Sequence, residues 1–495
     1  MAKTANFLAI DVGAESGRCF VGRFTGENLT VKEIHRFPNG PVRLGNHLHW
    51  DVFHIYTEIK NGISCAVRET DCCLNGFGLD TWGVDFAFLD RNGELVGIPY
   101  HYRDAQTEGM FEEAFKRVPR KEIYQQTGIQ FMRLNSLYQL LALTIQKSPL
   151  LTASQTFVMI PDLFNYWLTG NKSCEYTNAT TTQCMDANTR QWAYSLLERL
   201  GIPTNIFPEI IQPGTDLGTL LPHVVEDTGA SNVPVVAVAT HDNASAVASI
   251  PRQSDAWLSA GTWCVVGIEL EEPIINELTF ESNITNEGGV CGTISMFKNV
   301  VGLWLIQECR RTWAANGKNL SYVEIGKLAT QAKPFSAIID PDAPEFLNPG
   351  DMPARIREWC IRSGQAAPED EGSIARTIYE SLALKYRWIF ERLEKIRGRR
   401  LETLQIIGGG SQNRLLNQFV ANALNRPVTA GPTEATTIGN MLIQMLALKH
   451  IASLDEGREL IRQSFQTETF LPEEPEEWDE PYSRLLSLLG STLIG

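Results

Sequence analysis

Three features of the sequence predict an α/β protein built from two related halves around a cleft. Apolar strand patterns alternate with helical ones throughout. The opening stretch "FLAIDVGAESGRCFVGRF" and the later "SDAWLSAGTWCVVGIEL" share one plan of strand, small-residue turn and strand. Strand–turn–helix units recur in both halves, and 495 residues are too many for one hydrophobic core. The break falls near Pro251, where "PRQSD" interrupts the pattern, which gives domains 1–250 and 251–495.

Taken in order, "FLAIDVG", "RCFVGRF", "LTVKEIHRF" and "HLHWDV" are short β-rich runs joined by Gly or Asn turns and read as a meander. A helix follows over "DVFHIYTEIKNGISCAV". The stretch "NGFGLDTWGVDFAFLD" reads as a buried strand, with a hairpin at "DRNGEL". Helices over "LNSLYQLLALTIQ" and "LFNYWLTG" lead to the strand "PVVAVATHD". In the second half a long amphipathic helix runs from about Ser373 to Gly398, a glycine that suits a left-handed C-terminal cap. "LQIIGGGSQNRLLNQFVANAL" is then strand, glycine turn and helix, and the acidic run "PEEPEEWDEP" is solvated surface.

Composition narrows the function. Hydrophobic residues make up 43% and charged residues 20%, as in ordinary globular proteins. A net charge of −15 argues against non-specific binding of nucleic acid or anionic membranes, so local groups must grip any phosphate. No apolar run is long enough to cross a bilayer, and the N-terminus enters a strand without signal-peptide features. The 10 cysteines are scattered without CxxC or metal spacing, so reduced thiols and a cytoplasmic location are expected. No Ser-His-Asp order, HExxH or Cys/His spacing stands out, which sets hydrolase and structural-metal readings aside.

Four small-residue turns are candidates for a nucleotide. In the opening turn, Gly13 and Gly17 allow close backbone approach, Ser16 donates a hydrogen bond and Arg18 offers a planar fork to phosphate oxygens. Asp11 would repel phosphate unless a divalent cation lay between them, which suits a metal-side anchor for Mg²⁺. A plain turn uses the same residue types. The second turn, "SAGTW", places Ser259, Gly261 and Thr262 between two apolar strands as a second clasp. The third, "IIGGGSQN", has Gly408, Gly409 and Gly410 in a row, open to a flat ligand, with Asn413 in the first turn of the next helix. The fourth, "GPTEATTIGN", repeats the small-residue logic around Gly431 and Gly439.

The candidate base is Asp242. The strand "PVVAVATHD" ends at His241 and Asp242, and ligands of open α/β sheets bind outside the carboxyl ends of strands. A carboxylate there can accept the proton of an attacking hydroxyl; it could equally cap the following helix, or do both. His241 could contact a substrate hydroxyl or pack against backbone. Trp82, Gly83 and Asp85 in "DTWGVDF", with Arg103 and Asp104, supply the aromatic faces and fixed polar groups a neutral polyol needs. "EYTNATTTQ" and "NITNEGG" add Asn and Thr donors and acceptors.

These stretches, with "YRD", "GLWL" and "GGGSQN" in the same order, resemble the FGGY carbohydrate kinases from about residue 7 to about residue 445, and within that family the bacterial kinases of L-rhamnulose. The resemblance implies two ribonuclease-H-like domains, as in actin and hexokinase, closing on a central ATP and sugar cleft. It implies a sugar-binding N-terminal domain, a nucleotide-binding C-terminal domain, and ATP- and Mg²⁺-dependent phosphorylation of L-rhamnulose at the 1-hydroxyl. By the family's pattern Asp242 is the proton acceptor, and Asp11 meets Mg²⁺ through water. Ala14, Glu15, Ser16, Gly17 and Arg18 contact ATP phosphates, and Thr262, Gln307 and Gly409 contact ATP elsewhere. Gly83, His241, Asp242, Asn243 and Asn299 face the sugar. Asn243 stands where the family commonly has Thr, and Glu15 where a small residue is expected. The partners implied are ATP and a small ketose, in a monomer or small homo-oligomer. Two other readings exist: a kinase of L-fuculose, L-xylulose or D-xylulose, and an actin-like or chaperone-like ATPase with no sugar substrate.

Overall fold

Strand Ala5–Val12 buries nearly every side chain, which suits a central strand covered on both faces. It turns back on Ser16–Phe24, and that strand pairs in turn with Leu29–Pro38, both antiparallel. On its other edge Ala5–Val12 runs parallel to Gly76–Thr81, which runs parallel to Pro234–Ala237. An antiparallel edge strand, Thr215–Thr219, completes six. Helix Val52–Glu69 begins where the Asp51 side chain accepts from His54 N. Its buried residues Val52, Ile55, Ile59, Ile63 and Ala66 recur at helical spacing and share one core with Leu8, Ile10, Leu79 and Val235 of the sheet.

The computed structural model describes residues 4–251 and 254–492. By their contacts these residues form two units, each discontinuous in sequence. The first takes residues 4–251, 269–296 and 435–464; the second takes 254–268, 297–434 and 465–492. Residues 252 and 253, next to the expected break at Pro251, lie outside the described residues.

The second unit repeats the strand plan of the first. Trp263–Leu270 pairs antiparallel with Ala256–Ala260, which runs parallel to Leu404–Ile407 and on to Val428–Ala430, with Glu468–Phe470 as antiparallel edge. Helix Glu371–Arg397 opens on a capping box between Asp370 and Ser373 and closes on Gly398 at φ 71°, the left-handed position that glycine takes without cost. Among the described residues no helix is long and apolar enough to cross a membrane.

Several local expectations are corrected. His47–Trp50 leaves the meander and pairs with Pro41–Leu44 as a separate ribbon. "NGFGLDTWGVDFAFLD" is two strands: Gly76–Thr81 stays in the main sheet, while Phe86–Leu89 pairs with Thr156–Met159 elsewhere. The break falls at Val84, whose φ of 69° is foreign to a β-branched residue in a strand. Gly439 is not in a turn but inside helix Ala435–Ala447, where a Cβ would stand 1.7 Å from the Ser245 carbonyl oxygen. It lets that helix lie directly on helix Asp242–Ala248.

Candidate functional site

Three parallel strand ends of the first unit bring acidic side chains together. Asp11 is the register partner of Asp80, and Thr81 bridges to His241, with Thr81 N donating to Thr240 O at 2.9 Å. The end of Ala5–Val12 therefore presents Asp11, the end of Gly76–Thr81 presents Asp80, and the residues after Pro234–Ala237 present His241 and Asp242.

Asp242 does not cap its helix. His241 occupies the cap position without a side-chain cap bond, and Asp242 is the first helical residue. Its Oδ1 accepts from Asn243 N at 2.6 Å and lies 3.5 Å from His241 Nε2. The side chain is still 36% exposed, so a hydroxyl can reach it. Burial raises the carboxyl to about 6; His241 opposes the rise, Asp11 and Glu287 add to it, and the Asn243 N–H lowers it. Asn243 is buried, and its Oδ1 has no hydrogen-bond partner among the described residues.

Asp80 is fully buried, and burial with the charge of Asp11 pushes its carboxyl well above the usual range. Asn440 Nδ2 donates to its Oδ2 at 2.6 Å, while its Oδ1 lacks a partner among the described residues. Asp11 accepts from Arg18 Nη2 at 2.6 Å across the hairpin.

The opening turn is shorter than its motif. Gly13 N donates to Ser16 O at 3.0 Å, so Gly13, Ala14 and Glu15 form the tip, with Glu15 exposed. Asn39 braces it, donating from Nδ2 to Gly13 O at 2.9 Å and from N to Glu15 O at 3.0 Å. Ser16, Gly17 and Arg18 already belong to the second strand, and Gly17 is small because the Phe37 ring lies over it.

Gly83 sits half-buried at the break between strands, next to Val84, whose N donates to Thr181 Oγ1 at 2.8 Å. Asp85 anchors this region. Its carboxylate accepts from Trp50 Nε1 at 2.6 Å, Trp82 Nε1 and Gln139 Nε2 each at 3.0 Å, and Tyr102 N at 3.2 Å. Burial lifts it to about 7 against those four donors. Asp104 is framework too: it accepts from Leu48 N and Gln106 N. The stretch "EYTNATTTQ" braces the framework. It forms buried helix Tyr176–Thr181, capped by Glu175, whose Oε2 also accepts from Thr240 N at 3.0 Å and Thr240 Oγ1 at 2.8 Å. Asn178 Nδ2 donates to Trp82 O and Thr240 O.

In the second unit, Thr262 O accepts from Gly302 N and Trp304 N at the start of helix Trp304–Ala315. Gln307 lies one turn into that helix, and its Oε1 is buried without a partner among the described residues. Gly410 packs on Ala260 and Leu303, and a Cβ at Gly409 would meet nothing within 4 Å. Thr262, Gln307 and Gly409 thus gather around one strand end and one helix start. Asn413 is the cap of helix Arg414–Leu424, accepting from Leu416 N, rather than a first-turn residue. Asn299 is half-buried in strand Ile294–Val301 and belongs to this unit by its contacts, whereas Gly83, His241, Asp242 and Asn243 belong to the first.

Two side chains of this neighbourhood are not among the residues singled out from the sequence. Asp80 adjoins Trp82 and Gly83 in the quoted motif. Glu287 sits inside "NITNEGG", a stretch read only for its Asn and Thr; its Oε2 lies 3.2 Å from His241 Nδ1. Asn283 and Asn286 of that stretch hold backbone of Phe131, Gly128 and Ile274.

Comparison with known proteins agrees along nearly the whole chain. Residues 6–248 match the N-terminal domain and residues 256–448 the C-terminal domain of the FGGY family of carbohydrate kinases. The chain is 43% identical to a rhamnulokinase of Bacteroides thetaiotaomicron over 479 residues, 96% of this chain and 98% of that protein. It is 38% identical to a rhamnulokinase of Oceanobacillus iheyensis over 469 residues, 94% of this chain and 97% of that protein. Its fold is that of a xylulose kinase from Lactobacillus acidophilus, with a TM-score of 0.82, 18% identity and 98% coverage of both chains. Glycerol kinase of Plasmodium falciparum, solved with ADP, gives a TM-score of 0.77 at 17% identity, with 98% coverage of both chains. The chain therefore belongs to the FGGY family of carbohydrate kinases and is a two-domain sugar kinase of the actin and hexokinase type.

Proposed function

We propose that this kinase transfers the terminal phosphoryl group of ATP to the 1-hydroxyl of L-rhamnulose, with Asp242 as proton acceptor. The observation that carries the reading is the 43% identity to a rhamnulokinase across 96% of the chain. The strand-end carboxylate of Asp242 supports it, with a buried acceptor, Asn243 Oδ1, beside it. Asp242 Oδ1 is engaged by Asn243 N, which leaves Oδ2 to orient the hydroxyl and take its proton late in a loose transition state. His241, Asn243, Gly83 and Asn299 hold the sugar.

The opening turn, Ala14 to Arg18, meets the phosphates through backbone N–H groups, Ser16 and Arg18. Thr262, Gln307 and Gly409 hold the rest of the nucleotide. Sugar recognition is assigned chiefly to the first half of the chain and nucleotide recognition to the second. The donor set fits a magnesium ion carried on substrate phosphates: Asp11 and Asp80 stand side by side in register, and Asp80 Oδ1 has no protein partner among the described residues. Asp11 would hold that ion through water, and the ion would neutralise phosphate charge.

The test is an ADP-release assay over L-rhamnulose, L-fuculose, L-xylulose and D-xylulose at fixed ATP and Mg²⁺, with the product's phosphate position read by NMR. L-Rhamnulose is expected to have the highest kcat/KM and to be phosphorylated at position 1. A higher kcat/KM for another ketose replaces the substrate, and ATP turnover indifferent to every ketose removes the reading.

A further inference from the structure

The Glu287 carboxylate comes to one side of the His241 ring while Asp242 stands on the other. Glu287 Oε2 lies 3.2 Å from His241 Nδ1, and Asp242 Oδ1 lies 3.5 Å from His241 Nε2. The Glu287 and His241 side chains are only 8% and 13% exposed, so solvent screens their contact little.

Both partners are held from behind by one helix. Gly288 N donates to Thr180 Oγ1 at 2.9 Å. A Cβ at Gly288 would stand 2.3 Å from Tyr176 Cε1, so the bare backbone lets Tyr176 lie against strand Thr285–Gly288. His241 N donates to Thr177 Oγ1 at 3.3 Å, and that hydroxyl donates to Glu175 Oε2 at 2.6 Å. Helix Tyr176–Thr181 thereby fixes the strand that carries Glu287 and the backbone that carries His241.

We infer that Glu287 is a positioning residue for the proton acceptor: it holds the His241 ring as a cation against Asp242, and that cation keeps Asp242 ionised. The inference rests on Asp242 being the acceptor. Glu287 Oε2 is buried without a hydrogen-bond partner among the described residues, so it acts on the ring through its charge. Two carboxylates at ion-pair distance from the two ring nitrogens favour the doubly protonated imidazolium. Burial works against a charged His241, but Glu287, Asp242 and Glu175 together raise it above the ordinary histidine range. Asp242 faces Asp11 from strand Ala5–Val12, Asp80 from Gly76–Thr81 and Glu287 from Thr285–Gly288. Arg18 answers Asp11 directly, at 2.6 Å. His241 favours the ionised form of Asp242, and its effect is larger than the repulsion from Glu287.

The test reads kcat/KM for the ketose against pH in E287Q, H241Q, the double variant and D242N, with Tm and ATP affinity of each. In the parent the acidic limb falls near the Asp242 value of about 6. E287Q is expected to move it upward by about one pH unit, the effect of losing one adjacent charge. H241Q is expected to move it the same way, the double variant no further than H241Q, and the alkaline plateau of E287Q to stay near the parent's. E287D restores the charge and is expected to bring the limb back, which separates the charge effect from any loss of Tm. A limb that stays in place in E287Q and H241Q overturns the inference, as does a loss uniform across pH. D242N with parental turnover instead overturns the acceptor assignment.

Discussion

A carboxylate at the end of a parallel strand can cap a helix, stand beside a metal or take a proton, and its neighbours decide among these. Asp85 and Asp104 are spent on N–H donors of the framework. Asp242 keeps its side chain 36% exposed beside His241, which suits the acceptor role proposed for it. D242N is expected to lower kcat by about 10²–10⁴-fold, the usual worth of a positioned base, with ATP affinity close to the parent's; coupled kinetics and calorimetry check both. An acceptor must be ionised, and burial sets Asp242 at about 6, so kcat/KM falls as pH drops below that value. D11N is expected to raise the Mg²⁺ concentration for half-maximal rate by roughly tenfold, as loss of an outer-shell group does. A magnesium titration at fixed ATP measures it, and an unchanged curve removes Asp11 from the metal's surroundings. At this scale the place of Asp242 after a strand end was legible because an apolar strand runs straight into a His-Asp pair. Glu287 was not, because nothing local in an Asn- and Thr-rich strand says which carboxylate will meet a ring 46 residues away.

Elements were most legible where one face is buried and the other wet. Helix Val52–Glu69 follows from its apolar spacing and the capped helix Glu371–Arg397 from its period and its terminal glycine. The opening hairpin, whose first strand is buried on both faces, follows instead from its apolar runs on either side of a glycine turn. The first part of helix Ala435–Ala447, within "GPTEATTIGN", reads as a turn because the helix has no stripe. Thr437, Ile438, Gly439, Asn440, Met441 and Leu442 are all buried, so period carries no signal and the small residues look like loop. Gly439 tests this correction. Alanine is the better helix former by about 1 kcal/mol, which alone would stabilise. The Ser245 carbonyl oxygen 1.7 Å from the new methyl belongs to another helix's backbone and cannot step aside. Overpacking of about 1–3 kcal/mol or more therefore wins, and G439A is expected to lower Tm by several degrees in a calorimetric scan. A Tm at or above the parent's would mean the two helices separate easily.

On the scale of the whole molecule, the repeated strand plan was legible because both hairpins read alike. The interleaving of the two units was not, because only distant contacts define it. The first unit is finished by residues 435–464. From that segment Gln444 Nε2 donates to Leu8 O at 2.8 Å and Asn440 Nδ2 to Asp80 Oδ2 at 2.6 Å. Arg458 reaches Ala248 O and pairs with Glu269 at 2.9 Å. A chain stopped after residue 434 is expected to lose cooperative unfolding of the first unit and to bind a hydrophobic dye. Near-ultraviolet circular dichroism and dye fluorescence check this, and a parental melting transition would make residues 435–464 accessory. The same interleaving governs how the protein is born. Its opening hairpin leaves the ribosome hundreds of residues before the helix that covers it, so the nascent sheet waits half-clothed through most of translation. Folding of the first unit is completed only once residues 435–464 have been made, and whatever shields its apolar β-surface until then protects it from aggregation.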